Sequence, residues 1–332
     1  MTDVLTGSDV ALEAIQSYPD ADNPSSFLAV NEGNSYFTLP DVPGVIVYRE
    51  TGRYIVQFGG PFAPEGARAQ LLKAFIEWAA EQKREIVAVQ LQAADAPEYL
   101  AEGFVVNQMG ASFALRLETF TLAGTRFMQL RNKIKRAFGS GLQVNEVPLE
   151  PWIDRIRELD GAWLGTKGGA KPLEFLVGQT GGPYQHMRRL FVAENDGKLI
   201  GYISYSPVYG TRPGWMHDLS RRQPDCPPGV MEAINRTAIE KFQEEKVEWL
   251  HFGFTPFTGL DSQPKFPNYS RAFHWFMSHL WENGEMVYPA QTQFAYKDKW
   301  AQDLVLGEYI AFQHGRASIP ALIHIFRACN AI

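Results

Sequence analysis

Two segments of this chain align without gaps at an offset of 163 residues, and that repeat constrains the fold more than any other feature. "PEGARAQLLKAFIEWAAEQKREIVAVQL" begins at Pro64 and "PPGVMEAINRTAIEKFQEEKVEWLHFGF" at Pro227. Each opens with Pro-x-Gly. Each then places apolar residues four apart, at Leu71, Phe75 and Ala79 and at Ile234, Ala238 and Phe242, which predicts a helix with one buried face. A lysine follows each helix (Lys83, Lys246), and a β-rich run comes next. Upstream, Val45–Phe58 and Leu190–Tyr205 both read as strand, glycine-containing turn, strand, the signature of a hairpin. The expectation is an α+β chain of two similar lobes, residues 1–140 and 141–332, each built as hairpin, helix, strand.

Composition limits what such a chain does. Its 332 residues, 45% hydrophobic and 20% charged, match a folded protein of about two domains. No apolar run reaches the roughly 18 residues of a membrane span. The acidic start "MTDVLTGSDVALEAIQ" does not resemble an export signal. Cys226 and Cys329 have no metal-type spacing, so free thiols in a reducing cytoplasm are expected. No His/Cys/carboxylate arrangement fits a metal. A net charge of −6 argues against a dedicated duplex binder but allows a local basic patch.

The second repeat is decorated where the first is plain. "GWMHDLSRRQPDCPPGVMEAI", Gly214–Ile234, runs from a short strand through Asp218, Arg221 and Arg222 into a helix opening near Gly229. The first amides of a helix lack internal partners and carry partial positive charge, which suits phosphate or carboxylate. The alternative is an ion pair across a surface turn, which would contribute little. Between the lobes, Arg126, Arg131, Lys133, Lys135 and Arg136 surround an apolar stripe of Phe127, Leu130, Ile134 and Phe138 without a balancing acid. That helix suits a nucleic-acid backbone, an anionic membrane surface, or the acidic remainder of the chain. His217 points away from Asp218 because adjacent strand residues alternate faces, so a structural histidine is expected. Phe273, Phe276, Met277 and Leu280 lie at core helical spacing.

In order, "FTLAGTRFMQLRNKIKRAFGSG", "GAWLGTK", "HDLSRRQPDCPPGVMEAI", "FGFTPFTGL" and "YKDKWAQDLVLGEY" resemble the C-terminal domain of bacterial phosphatidylglycerol lysyl- and alanyltransferases and related soluble transferases. The tail "GRASIPALIHIF" is similar to that family's closing helix. The resemblance implies a tandem, duplicated GNAT-like N-acetyltransferase fold. It also implies transfer of an aminoacyl group from a charged tRNA, without metal, cofactor or covalent enzyme intermediate. Asp218 and Arg221 fall on the family's Asp-x-x-Arg element, Asp218 as base or ammonium site and Arg221 facing a phosphate or oxyanion. Arg222 and Gly229 adjoin them. Lys297, Lys299 and Trp300 match a lysine-x-lysine-aromatic segment and imply phosphate or acceptor contacts, and the Arg126–Arg136 run implies a tRNA contact.

Three departures shape the expected donor and acceptor. "GASF", Gly110–Phe113, lacks the family's consecutive glutamates, which argues for a small or apolar amino acid in place of lysine. Glu308 stands where the family has an arginine, which argues against an anionic phospholipid. The membrane-spanning half of the lipid enzymes has no counterpart here. The expected reaction is therefore cytoplasmic aminoacylation of a soluble small molecule, such as an antibiotic-type metabolite. The alternatives are a membrane lipid headgroup, an acyl-coenzyme A donor, and a non-catalytic tRNA- or anion-binding module. The glycine-rich pyrophosphate loop of acyl-coenzyme A enzymes is absent at "RRQPDCPPG".

Overall fold

The computed structural model describes residues 7–19, 22–166, 171–284 and 288–332. Lys167, the end of the "GAWLGTK" motif, lies outside them. The first half runs α1 (Gly7–Ser17), a 3₁₀ turn (Ser26–Val30), β1 (Ser35–Leu39), β2 (Val42–Thr51), β3 (Tyr54–Phe62), α2 (Glu65–Glu81), β4 (Glu85–Leu91), α3 (Ala96–Ala101) and β5 (Val105–Arg116). The linking helix α4 (Met128–Gly139) leads to β6 (Gln143–Val147), α5 (Ile153–Gly165), β7 (Arg189–Asn195), β8 (Lys198–Val208), β9 (Gly214–Arg222), α6 (Val230–Glu244) and β10 (Trp249–Pro256). The chain closes with α7 (Arg271–Asn283), α8 (Ala290–Asp298), β11 (Leu304–Phe312) and α9 (Ile319–Ala328).

The repeat is visible in backbone detail. Leu71, Phe75 and Ala79 of α2 and Ile234, Ala238 and Phe242 of α6 are all buried. Both helices end through a left-handed lysine, Lys83 at φ 55° and Lys246 at φ 59°. At each end the lysine N–H donates three residues back, to Ala80 or Gln243 O, and the next N–H reaches Ala79 or Phe242 O. These bonds satisfy carbonyls that a helix end otherwise leaves open. A parallel strand follows in both cases, β4 beside β3 and β10 beside β9. Three strands, a helix and a parallel strand thus occur twice, the tandem GNAT-like arrangement that the resemblance implies. One expectation shifts. The hairpin leading directly into α6 is β8–β9, so the Leu190–Tyr205 hairpin (β7–β8) lies one strand too early to match β2–β3.

The eleven strands of the described residues join one mixed sheet in the order β1-β2-β3-β4-β11-β5-β10-β9-β8-β7-β6. Strand β11 enters the first half's portion of this sheet, pairing antiparallel with β5 from Leu304↔Ala114 to Phe312↔Val105 and with β4 at Phe312↔Val87. A cut at residue 140 therefore does not separate two self-contained lobes. One core packs α2 and α3 on the sheet, with Phe75 against Phe37 and Tyr48 at 5.2 and 5.4 Å. A second collects α4 and α6 around Tyr205, Phe242 and Phe252. A third joins α1, the 26–30 turn, α7 and α9, with Phe273 and Met277 buried in it as the α7 spacing predicts.

Candidate active site

The site grows from a parting of strands. β9 and β10 pair only from Gly214–Met216 to Trp249–His251, and then separate. Past that point β9 stays on β8, but its register shifts between Tyr205↔His217 and Ser204↔Leu219, leaving Asp218 without an opposite residue. Such a bulge re-aims a side chain. Asp218 turns against Gly178, where a Cβ would stand 2.4 Å from its carboxyl carbon. Its side chain is 2% exposed, and Oδ2 lies 3.7 Å from Nε of the equally buried Arg188. Arg188 Nη2 donates to Asn31 Oδ1 at 2.9 Å, and its guanidinium lies over the Phe27 ring at 4.8 Å. The N-terminal segment of the chain thus builds one wall of a site in the second half.

Burial raises the Asp218 carboxyl from 3.8 to about 6, although Arg188 and the Ser206 hydroxyl pull it down. Arg188 Nη1 is buried without a hydrogen-bond partner, and Arg188 Nε and Asp218 Oδ2 have only each other, at 3.7 Å. Buried polar atoms are seldom left so, and a cluster of them marks a place built for a polar guest.

Arg221 does not join this cluster. Its guanidinium rests 4.0 Å from the centroid of the Trp163 ring, with Nη1 donating to Ser220 O at 2.9 Å. Asp160, nearby on α5, accepts from Tyr202 OH at 2.7 Å, and its carboxyl is raised by burial while Tyr202 and Arg221 draw it back. His217 lies among Tyr205, Phe252 and Tyr296, and burial, with Lys297, drops it to about 3. It is a neutral, structural histidine.

The helix end expected to lie open is closed by its own chain. Gly229 sits at φ +100°, and a Cβ there would be 2.6 Å from Lys133 O of α4. Glu232, in the first turn of α6, accepts from Lys133 Nζ at 2.9 Å and Lys299 Nζ at 3.1 Å. Burial would raise this carboxyl, but the two lysines hold it below the usual range. Glu232 thus occupies the positive end of the helix, and Lys133 and Lys299 are committed to it.

Other expected contacts also turn inward. Lys297 is buried where β10 bulges, donating to Gly253 O, Phe254 O and Thr255 Oγ1 at 2.8, 3.0 and 2.6 Å. Burial lowers it to about 7 despite the neighbouring Glu308. Trp300 is wholly buried against Phe252 and Phe120, a core residue and not the surface contact the motif implied. Arg131 Nη1 donates to Leu122 and Gly124 carbonyls. Arg126, Lys135 and Arg136 are exposed and form no ion pair among the described residues. Arg222 is exposed with Nη1 3.6 Å from Cys226 Sγ.

Sequence reasoning passed over Arg188 and Asp160. Only the doubled arginine entering β7 hinted at the first. It also missed the burial of Glu308. That side chain is completely buried, accepts from Ser112 Oγ and is raised by burial to about 7. The carboxyl lies beside Lys297 and away from the surface. Among the described residues no cluster of metal-ligating side chains occurs.

Residues 14–312 match the family described as phosphatidylglycerol lysyltransferase, C-terminal. The phosphatidylglycerol lysyltransferase of Bacillus subtilis is 22% identical over 89% of this chain and 34% of its own length. The lysylphosphatidylglycerol biosynthesis bifunctional protein of Rhodococcus opacus is 27% identical over 69% of this chain and 21% of its own. The chain thus spans about a third or less of these relatives. Among solved structures, the DUF2156 domain of an Agrobacterium fabrum protein named as a lysylphosphatidylglycerol synthetase superposes with a TM-score of 0.80 at 20% identity, covering 98% of this chain and 97% of that one. The L-PGS structure from Bacillus licheniformis gives 0.75 at 19% identity, covering 93% of each chain. These two share the fold, and the family match extends over most of the sequence. The chain belongs to the family of phosphatidylglycerol lysyltransferase C-terminal domains.

Proposed function

We propose that this chain moves an aminoacyl group from the 3′ end of a charged tRNA to a hydroxyl of a phosphatidylglycerol-type lipid headgroup. The observation that carries the reading is the buried Asp218–Arg188 pair, with Arg188 Nη1 left without a partner, beside parted strands. The tRNA ester is already activated. The headgroup oxygen attacks the ester carbonyl, a new ester forms, and the tRNA ribose oxygen leaves, taking the proton the attacking hydroxyl loses. Catalysis then reduces to alignment, proton transfer and stabilisation of the oxyanion. We assign Arg188 Nη1, which has no partner within the protein, to that oxyanion. Asp218 takes the attacking hydroxyl's proton or holds the aminoacyl ammonium. Arg221, on Trp163, takes the terminal phosphate, and Arg126, Lys135, Arg136 and Arg222 take the nucleic-acid backbone.

A lipid acceptor displaces the soluble one expected from the sequence. The named relatives act on phosphatidylglycerol, and Glu308, which stands where the family has an arginine, is buried and does not face a headgroup at the surface. An acyl-coenzyme A donor is disfavoured because Glu232 and the α4 backbone fill the helix end where a pyrophosphate would sit.

The test is transfer itself. Charged, labelled tRNA pools are incubated with the protein and phosphatidylglycerol vesicles, and the products are partitioned between solvent and water. Label in the lipid phase supports the proposal. Label only in an aqueous product returns the acceptor to a soluble metabolite, and no enzyme-dependent transfer overturns the reading.

A further inference from the structure

The last helix has two apolar faces, and the protein uses one. Ala321, Ile325 and Ala328 of α9 are buried against β2 and β3. On the other side Ile319, Ile323 and Phe326 are 68%, 43% and 43% exposed, and Ile332 beyond them 72%. These four are half of the large apolar side chains exposed among the described residues. Scattered exposed apolar residues are ordinary, but a helical stripe of them marks a contact surface. The helix is also held firmly. Ser318 Oγ caps it by accepting from Ala321 N, Tyr54 OH meets that hydroxyl at 3.1 Å, and His324 Nδ1 meets Thr51 Oγ1 at 2.6 Å.

The charged side chains of the segment that carries this stripe have one sign. Glu308 is the last acid in the sequence, and beyond it stand only His314, Arg316, His324 and Arg327. Arg316 and Arg327 are exposed, as is Arg53 in the β2–β3 turn beneath the helix. The nearby acids are already engaged, Glu174 with Arg49 and Glu50 with Arg84, while Glu85 faces Arg53. An apolar stripe rimmed by arginine fits an anionic lipid surface, with the side chains entering the interface and the guanidinium groups at phosphate level.

We infer that α9 is an interfacial docking helix that seats this domain on anionic bilayer lipid. Its use in catalysis rests on the lipid-acceptor reading above, since docking would bring a headgroup to the protein and not require extraction of the lipid. The test is co-sedimentation of the full chain with vesicles of phosphatidylglycerol and phosphatidylcholine against phosphatidylcholine alone. The wild-type protein should sediment with the anionic vesicles only. I323S/F326S, altered at exposed positions, should lower partitioning by about tenfold or more, and R316Q/R327Q by roughly tenfold with a flatter salt dependence. Circular dichroism of each variant verifies the fold. Equal sedimentation of wild type and I323S/F326S overturns the inference. So does loss of self-association in I323S/F326S with vesicle binding unchanged, which would make the stripe a contact between copies. Aminoacyl transfer to dispersed short-chain phosphatidylglycerol should survive I323S/F326S while transfer to vesicles falls. Absence of wild-type transfer to either form defeats the functional reading alone, leaving docking to be judged by sedimentation.

Discussion

Arg188 Nε stands 3.7 Å from Asp218 Oδ2 with both side chains withdrawn from water. Burial pulls the Arg188 guanidinium below its ordinary value, and Asp218 offsets only part of that. Removing one partner of such a pair strands the other charge, which costs about 3–5 kcal/mol. Arg188→Met should lower unfolding free energy in urea by that amount. Arg221→Ala, which loses a ring contact, should cost about 0.5–2 kcal/mol. Similar losses for the two variants would contradict the assignment of the buried pair.

Asp218→Asn should cut aminoacyl transfer by ~10²–10⁴-fold if the carboxylate takes the proton. Turnover close to wild type would remove Asp218 from the chemistry.

The pH dependence follows from the same group. Asp218 titrates near 3.8 when unfolded and about 6 when folded, so between those values the native state holds more protons. Its contribution to stability is complete below pH 3.8 and is lost as the pH rises through about 6, roughly 3 kcal/mol in all. Transfer should run the other way, increasing through about pH 6 as the carboxylate ionises. Urea melts and initial rates across this range, in wild type and Asp218→Asn, measure both trends.

Glu232 gives the opposite sign, because Lys133 and Lys299 hold its carboxyl below the ordinary glutamate value of 4.5. Its stabilisation is present above that value and disappears as the pH falls through the lower folded one. Glu232→Gln should flatten the acid side of the stability curve. Lys135→Gln/Arg136→Gln should weaken tRNA binding and reduce the salt slope by about 1.4–1.8. Lys133→Gln should change the slope less and stability more. An equal slope change for Lys133→Gln would mean that its charge faces nucleic acid.

Gly229→Ala places a methyl 2.6 Å from Lys133 O on a backbone at φ +100°. Left-handed strain of about 1–3 kcal/mol is expected, with added loss as α4 shifts. A thermal melt equal to wild type would mean that α4 yields freely.

What the sequence made legible was local. The α2 and α6 repeat could be read because helix faces and helix ends write themselves into spacing, down to the paired left-handed turns at Lys83 and Lys246. The hairpin before α6 was misassigned because alternation marks strands without naming their partners. Charge was harder still. Nothing near Lys133 announces Glu232, 99 residues away, and nothing near Asp218 announces Arg188 or Asn31. Those pairings exist only once the sheet has formed. The burial of Glu308 was illegible for the same reason, since burial is a property of the assembled fold.

The insertion of β11 between β4 and β5 has a kinetic consequence. During synthesis the first half emerges with β4 and β5 separated by a gap that only residues 304–312 can fill. Contacts this distant along the chain form slowly, and unpaired strand borders invite aggregation while they wait. Residues 304–312 must be made before the sheet can join β4 to β5 through β11.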